Sequence, residues 1–221
     1  DGIRIVGNRA FLHLDGIDAS DNADHGLLVF TDSGLLGDSL TTDLLIENSH
    51  FDRNGDPNAN LRVGLIFDEE ASVAGLRIVD SSFDDNSGAG MSFNDLGAPS
   101  STTSIDDVHI SGSSFSRNNP IDAGNGGGGL WLKTSGASSS ITNVLVETST
   151  FADNGTGQLN GGLVNRRINA NGVSVRARPD TIVDGIVICA NTFEENAGVG
   201  GTQEAGVYVF DDTLASNQGY Q

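Results

Sequence analysis

An eleven-residue pattern recurs along the chain at a fixed spacing, and it constrains the fold more than any other feature. Leu44 to Asn54 (LLIENSHFDRN), Leu76 to Asn86 (LRIVDSSFDDN), Val108 to Asn118 (VHISGSSFSRN), Val144 to Asn154 (VLVETSTFADN) and Ile186 to Asn196 (IVICANTFEEN) share one template. It reads apolar, x, apolar, x, x, Ser or Asn, x, Phe, x, x, Asn. A degenerate copy, Leu12 to Asn22, has Ala19 at the Phe position. From Ala19 through Phe51 and Phe83 to Phe115 each step is 32 residues; the steps to Phe151 and Phe193 are 36 and 42. Each copy is followed by Gly-apolar-x-apolar, beginning at Gly26, Gly64, Gly90, Gly129, Gly172 and Gly206. A further apolar column, Val73, Ile105, Ile141 and Val183, stands ten residues before its Phe.

Every apolar stretch alternates with period 2, the strand signal, and none follows the 3.6 period of a helix. Hairpins reverse the chain and would not return at a fixed period. Short strands repeating every 32 residues or so fit stacked coils that pair strand on strand in parallel at about 4.8 Å. The expected fold is therefore an all-β solenoid, a single-stranded parallel β-helix of about six coils with three short strands per coil. It forms one domain over residues 1–221, whole or as part of a longer chain. Phe51, Phe83, Phe115, Phe151 and Phe193 are expected to stack inside as an aromatic ladder. The column Asn22, Asn54, Asn86, Asn118, Asn154 and Asn196 is placed at a bend, because Asn tolerates left-handed backbone and stacked amides bond one another. Two residues after each Phe position come Asp21, Arg53, Asp85, Arg117, Asp153 and Glu195. Their alternating signs predict exposed ion pairs between neighbouring coils, each worth about 0–1 kcal/mol.

The stretches DDNSGAGMSF and EENAGVGGTQEAGVYVF resemble coils of the right-handed parallel β-helix superfamily. That superfamily includes pectate lyases, polygalacturonases, alginate lyases, mannuronan epimerases, phage tailspikes and autotransporter passengers. The resemblance spans nearly the whole chain. It implies right-handed winding, which parallel crossovers favour in general, but it implies no single activity, because one fold carries many functions. The DPHD motif of the mannuronan epimerases is absent, as are the NTD, GHG and RIK motifs of the polygalacturonases. The pectate lyase combination of a calcium-binding Asp cluster and a downstream catalytic Arg does not map residue by residue.

Charge narrows the classes. The formal net charge is −19, which disfavours nonspecific binding to nucleic acid or to an anionic membrane. Cys189 is the one cysteine; it has no internal disulfide partner, and no zinc-ligand spacing occurs. No apolar run approaches 18 residues, so no transmembrane helix is expected. The chain opens at Asp1 without a signal peptide, as a processed or cut chain would. The acidity and the single Lys against ten Arg point to an extracellular or cell-surface setting.

Candidate sites lie in the outward columns. On the first strand these are His13, Leu45, Arg77, His109, Leu145, Val187, and two residues on Asp15, Glu47, Val79, Ser111, Glu147, Cys189. His109 beside Arg77 has the makings of a base and a charge neutraliser for proton abstraction next to a carboxylate; the aliphatic neighbours Leu45 and Leu145 argue for an ordinary or covered face. After the Gly, the column is Leu28, Ile66, Ser92, Trp131, Ser174, Tyr208, followed two residues on by Asp68, Asn94, Lys133, Arg176 and Phe210. Trp131 and Tyr208 as stacking platforms, with Lys133, Arg176 and the loop residues Arg166 and Arg167 as cations, suit an acidic sugar. The alternative is an aromatic that covers core while the arginines offset local acid. Asp52, Asp84 and Asp85 on neighbouring bends form a weak calcium candidate, since Ca²⁺ needs six to eight oxygens at one point; a solvated acidic surface competes with it. Asn154-Gly-Thr matches a glycosylation sequon, although the ladder already accounts for Asn154.

Two functions fit these features. The first is an extracellular non-catalytic repeat protein for adhesion, surface structure or filament and stalk formation, binding a polysaccharide or cell-surface glycan and associating end to end or laterally. The second is a polysaccharide lyase or epimerase acting on an acidic glycan. In that case Lys133 is the base, Arg176 or Arg167 the neutraliser and Trp131 the platform.

Overall fold

The structure, a computed structural model, describes residues 1–30, 39–55, 62–68, 71–94, 103–118, 127–134, 139–154, 170–177, 181–196 and 206–211. Their regular elements are all strands: β1 (Ile3–Val6), β2 (Arg9–Asp15), β3 (Leu27–Phe30), β4 (Ser39–Glu47), β5 (Leu65–Asp68), β6 (Ala71–Val79), β7 (Met91–Asn94), β8 (Ser104–Ser111), β9 (Gly127–Lys133), β10 (Ser140–Glu147), β11 (Thr150–Ala152), β12 (Ala170–Ala177), β13 (Ile182–Cys189), β14 (Thr192–Glu194) and β15 (Val207–Asp211). They form parallel sheets. The template sheet runs β2-β4-β6-β8-β10-β13, and the glycine sheet runs β1-β3-β5-β7-β9-β12-β15. A third, narrow ladder consists of β11-β14, continued by parallel bridges from Asp18 through His50, Ser82 and Ser114 to Thr150. An all-β, parallel, β-helix-like arrangement is what the repeat requires, because each copy pairs with the same element of the next.

The register matches the sequence columns. Leu44, Leu76, Val108, Val144 and Ile186 lie side by side, and Val73, Ile105, Ile141 and Val183 do the same in the same sheet. These two columns belong to one strand. In β6 the strand spans both, bent at Gly75 (φ +77°).

In the second copy the inward residues are Thr41, Leu44, Ile46, Ser49, Phe51 and Asn54, each at most 1% exposed. Steps of two are strand alternation, and steps of three are corners. Each corner holds a left-handed residue: Asp43 (φ 53°), Asn48 (φ 50°) and Arg53 (φ 55°). The next copy repeats this with Gly75, Asp80 and Asp85. The expectation that the ladder Asn turns the corner is therefore corrected. The charged residue before it turns the corner, because the Asn amide has to stay inside to meet its neighbour. A left-handed non-glycine residue costs on the order of 1 kcal/mol; the hydrogen-bonded neighbours on both sides hold it there.

Side-chain ladders fill the interior. Phe51, Phe83, Phe115, Phe151 and Phe193 stack with centroids 4.9–5.2 Å apart and planes within 12°. A second stack, Phe67 on Phe93 at 4.6 Å, lies under the glycine sheet. The backbone N–H of Asn54 donates to Asn86 Oδ1 at 3.0 Å and its Nδ2 donates to the same oxygen at 3.1 Å. Asn86 makes the same pair of bonds to Asn118, and Asn118 to Asn154. The Ser column is an inner ladder too. Ser49 N–H donates to Ser81 Oγ, and Ser81 N–H to Ser113 Oγ, while each hydroxyl donates to the carbonyl two residues back. These buried polar groups are thus satisfied, as burial demands. The glycine column follows from the Asn ladder: a Cβ on Gly26 would lie 2.7 Å from both Asn54 Nδ2 and Gly64 O. The same close approach at Gly2 shows that Gly2-Ile3-Arg4-Ile5 is a further copy of the glycine motif, one the repeat count passed over.

Candidate functional site

On the outer face of the template sheet, β2, β4, β6, β8, β10 and β13 place His13, Leu45, Arg77, His109, Leu145 and Val187 in one registered row. Arg77 and His109 are neighbours, but each is turned to a carboxylate. Arg77 clasps Asp107 with Nη2 at 2.8 and 2.9 Å from its two oxygens, and Nη1 donates to the Asp107 carbonyl at 2.7 Å. His109 Nε2 lies 2.9 Å from Glu147 Oε1. The two side chains are therefore each engaged by a separate carboxylate, Arg77 in an ion pair and His109 in a hydrogen bond, and not aimed at one point as the base-and-neutraliser couple suggested by adjacency.

The glycine sheet lines up Leu28, Ile66, Ser92, Trp131, Ser174 and Tyr208 in register, with Lys133 beside Arg176 in the next row. Lys133 Nζ lies over the Trp131 ring at 5.3 Å. The sequence places this group correctly on one face, but it is not an open platform: Trp131 and Lys133 are each 4% exposed. Ile66, Ser92 and Ser174 are buried as well. Part of the reason is that Val63, Ala89 and Leu28 pack on Ile66 as a second apolar cluster outside the sheet, so these strands are covered on both faces, as parallel strands usually are. Arg176 and Tyr208 are half-buried. Arg166 and Arg167 lie outside the described residues.

Asp52 and Asp84 form part of the bend scaffold. Asp52 Oδ1 accepts the Asp84 N–H at 2.8 Å, and its Oδ2 accepts the Ser82 hydroxyl at 2.8 Å. Asp84 repeats this with Ser116 N–H and Ser114 Oγ. Asp85 is held by Arg117 Nε and Nη2, both at 2.8 Å, and Asp21 by Arg53 in the same way. The alternating-sign column therefore forms bidentate pairs, and hydrogen bonds from Arg53 hold the Asp21 carboxyl below its ordinary range. Asp52, Asp84 and Asp85 do not converge on a common point, which a calcium ion would need. Burial pushes the Asp84 carboxyl up, against the hydrogen bonds that pull it down. Its ionised form is thus disfavoured in the fold, and Asn can accept the same Ser116 N–H. Asp84→Asn is expected to raise the melting temperature at pH 7 and to leave it unchanged near pH 3, by thermal unfolding at both pH values. Asn154, the sequon residue, is fully buried and bonded through Nδ2 to Phe115 O and Asn196 Oδ1.

Among the described residues, two groups gather three metal-ligating atoms within 4.8 Å: Asp1, Asp24 and His25, and His13, Asp15 and Glu47. The first is a poor fit for an ion. His25 is buried, and its Nδ1 accepts the Val63 N–H at 3.0 Å. The neutral ring therefore carries its proton on Nε2, towards Asp24 Oδ1 at 3.5 Å. Arg62 Nε also lies 2.9 Å from that oxygen, so a cation is already in place. The second group went unnoticed in the sequence because its members sit in two different columns of two different copies. Only the diagonal reading, His in one copy and Glu two positions later in the next, brings them together.

No family model matches the chain, and no curated protein matches it. Among solved structures, the chain has 13% identity to a trypsin-treated variant of QnrB1, a plasmid-mediated fluoroquinolone resistance protein, over 95% of this chain and 94% of that one, with a TM-score of 0.15. At that TM-score the likeness carries no argument about this chain.

Proposed function

We propose that this chain is a right-handed β-helix of about six coils that works as an extracellular, non-catalytic structural or adhesive rod of the pectate lyase and tailspike type, with glycan contact as its recognition role. The supporting observation is the ladder system. The Phe, Asn and Ser columns are consumed in stacking copy on copy, and His109, Arg77, Arg53 and Arg117 hold carboxylates of neighbouring copies. Such a body presents a long, regular face and can be continued by further coils or by other copies of itself. A lyase or epimerase is the second reading, favoured by one observation: Lys133 sits over Trp131 and beside Arg176, a grouping of aromatic and cations that suits an acidic sugar once the buried face is opened.

A glycan-array binding and turnover screen separates them, run with and without EDTA and including alginate, pectate and sulfated glycans. The rod reading expects binding, or none, with no rise in ultraviolet absorbance from β-elimination. Turnover that Lys133→Ala or Arg176→Ala abolishes would sink it and establish the enzyme.

A further inference from the structure

We propose that His13, Asp15 and Glu47 form a binding site for one divalent transition-metal ion of the zinc class, on the outer face of the template sheet. The strand geometry builds the site. His13 and Asp15 stand two residues apart on β2 and so project from the same face. Glu47 on β4 is the registered neighbour of Asp15. One imidazole nitrogen and two carboxylate oxygens come within 4.8 Å of one another, and His13 Nε2 is 2.7 Å from Glu47 Oε1. Donors bound to a single ion at ~2.1 Å stand about 3 Å apart, so small rotamer changes on a rigid sheet suffice. The Asn48 amide donates to Asp15 Oδ1 at 3.0 Å. That is the outer hydrogen bond by which a ligating carboxylate is usually aimed.

The donor set selects the ion. A nitrogen donor with two carboxylates suits Zn²⁺, Ni²⁺ or Co²⁺, whereas Ca²⁺ asks for a larger set of oxygens. The His13 and Glu47 side chains are 52% and 31% exposed, which leaves room for waters to complete the shell. Two carboxylates around one imidazole leave the group negative even when the ring is protonated, so a dication balances it better than a proton does. On binding, Nε2 turns its lone pair to the metal, and any proton it carried is released to solvent.

The repeat contains its own control. His109 and Glu147 occupy the same template positions as His13 and Glu47 and make the same contact at 2.9 Å. The position corresponding to Asp15 is Ser111, so that copy has two of the three donors.

The test is isothermal titration of the full chain with ZnCl₂, NiCl₂ and CaCl₂ in metal-free buffer, with the visible spectrum of added Co²⁺ as a second readout. One equivalent of Zn²⁺ or Ni²⁺ is expected, not displaced by equimolar Ca²⁺, with Co²⁺ bands that report nitrogen ligation. His13→Ala should abolish both signals, and Asn48→Ala should weaken binding about 10-fold. Ser111→Asp should raise the stoichiometry to two, a gain that misfolding cannot mimic. Zinc binding that survives His13→Ala, an absence of binding heat, or a stoichiometry that stays at one in Ser111→Asp would each overturn the assignment.

Discussion

Phe83→Ala should lower the unfolding free energy by about 3–5 kcal/mol, the range for a fully buried aromatic whose cavity cannot collapse. Phe83 is fully buried and stacks on two rings, Phe51 at 5.2 Å and Phe115 at 4.9 Å. The walls around it are the Ser and Asn ladders and the paired strands, all locked by hydrogen bonds to the next copy, so relaxation into the void is limited. Phe193→Ala is the comparison. Phe193 is only partly buried and, among the described residues, stacks on Phe151 alone, so its loss should cost markedly less. Urea unfolding of both variants measures the difference. Because each copy touches only its neighbours, amide exchange in Phe83→Ala should accelerate first at the ladder amides of Asn54, Asn86 and Asn118. Equal costs at the two positions would mean that the ladder contributes little beyond area burial.

The second large effect is a loss of stability in mild acid that depends on His25. Burial lowers its pKa from the ordinary 6.5 to about 4, against the pull of Asp24. In the unfolded chain the ring takes a proton as pH falls through 6.5, while in the fold it resists until about 4. Between those values the unfolded state binds more protons, so stability falls as the pH falls. The integrated loss is ~3 kcal/mol, since each pH unit of displacement is worth about 1.4 kcal/mol. His25→Gln removes the titrating group, so the fall in stability from pH 6.5 to 4 should disappear and leave the opposite slope set by Asp84. The carboxyls held low by hydrogen bonds, Asp18, Asp21 and Asp106, contribute stability above their unfolded value of 3.8 and lose it only below. Asp84, pushed up, acts in the opposite direction and offsets part of the His25 effect. Denaturant melts at half-unit pH steps test this: a His25→Gln variant that retains the slope between 6.5 and 4 would refute it.

The ladders were legible in the sequence because a fixed period aligns like with like, so Phe, Asn and Ser columns appear without any structural knowledge. The corners were not. Most left-handed positions carry Asp, Asn or Gly, types that take that region readily, as at Asp43, Gly75, Asp107 and Asn143 or at Asn48, Asp80 and Gly112. The columns were overlooked because Phe11, Arg53, Arg117, Thr148 and Ala190 interrupt them and because Asp and Asn are common elsewhere in the chain. The face around Trp131 and Lys133 was placed correctly by alternation, but an open sugar site and an aromatic over core stayed undecided, because alternation tells which side a residue takes and not whether that side is later covered. The His13, Asp15 and Glu47 group escaped because columns were read straight along the stack, whereas contacts also run diagonally across it.

The inner ladders also have a sense. At every step from Asn22 to Asn196, the backbone N–H of the earlier Asn donates to the Oδ1 of the later one. The Ser column runs the same way, from Ile17 to Asn191. In these N–H to side-chain bonds the stack is an arrow, while the Nδ2 groups of Asn154, Asn191 and Asn196 reach back to carbonyls of the copy before. A two-fold pairing through its ends would set acceptor against acceptor, whereas translation along the axis matches donor to acceptor. End-on contacts that continue the ladders are head-to-tail, and head-to-tail contacts that do not close make fibres rather than dimers.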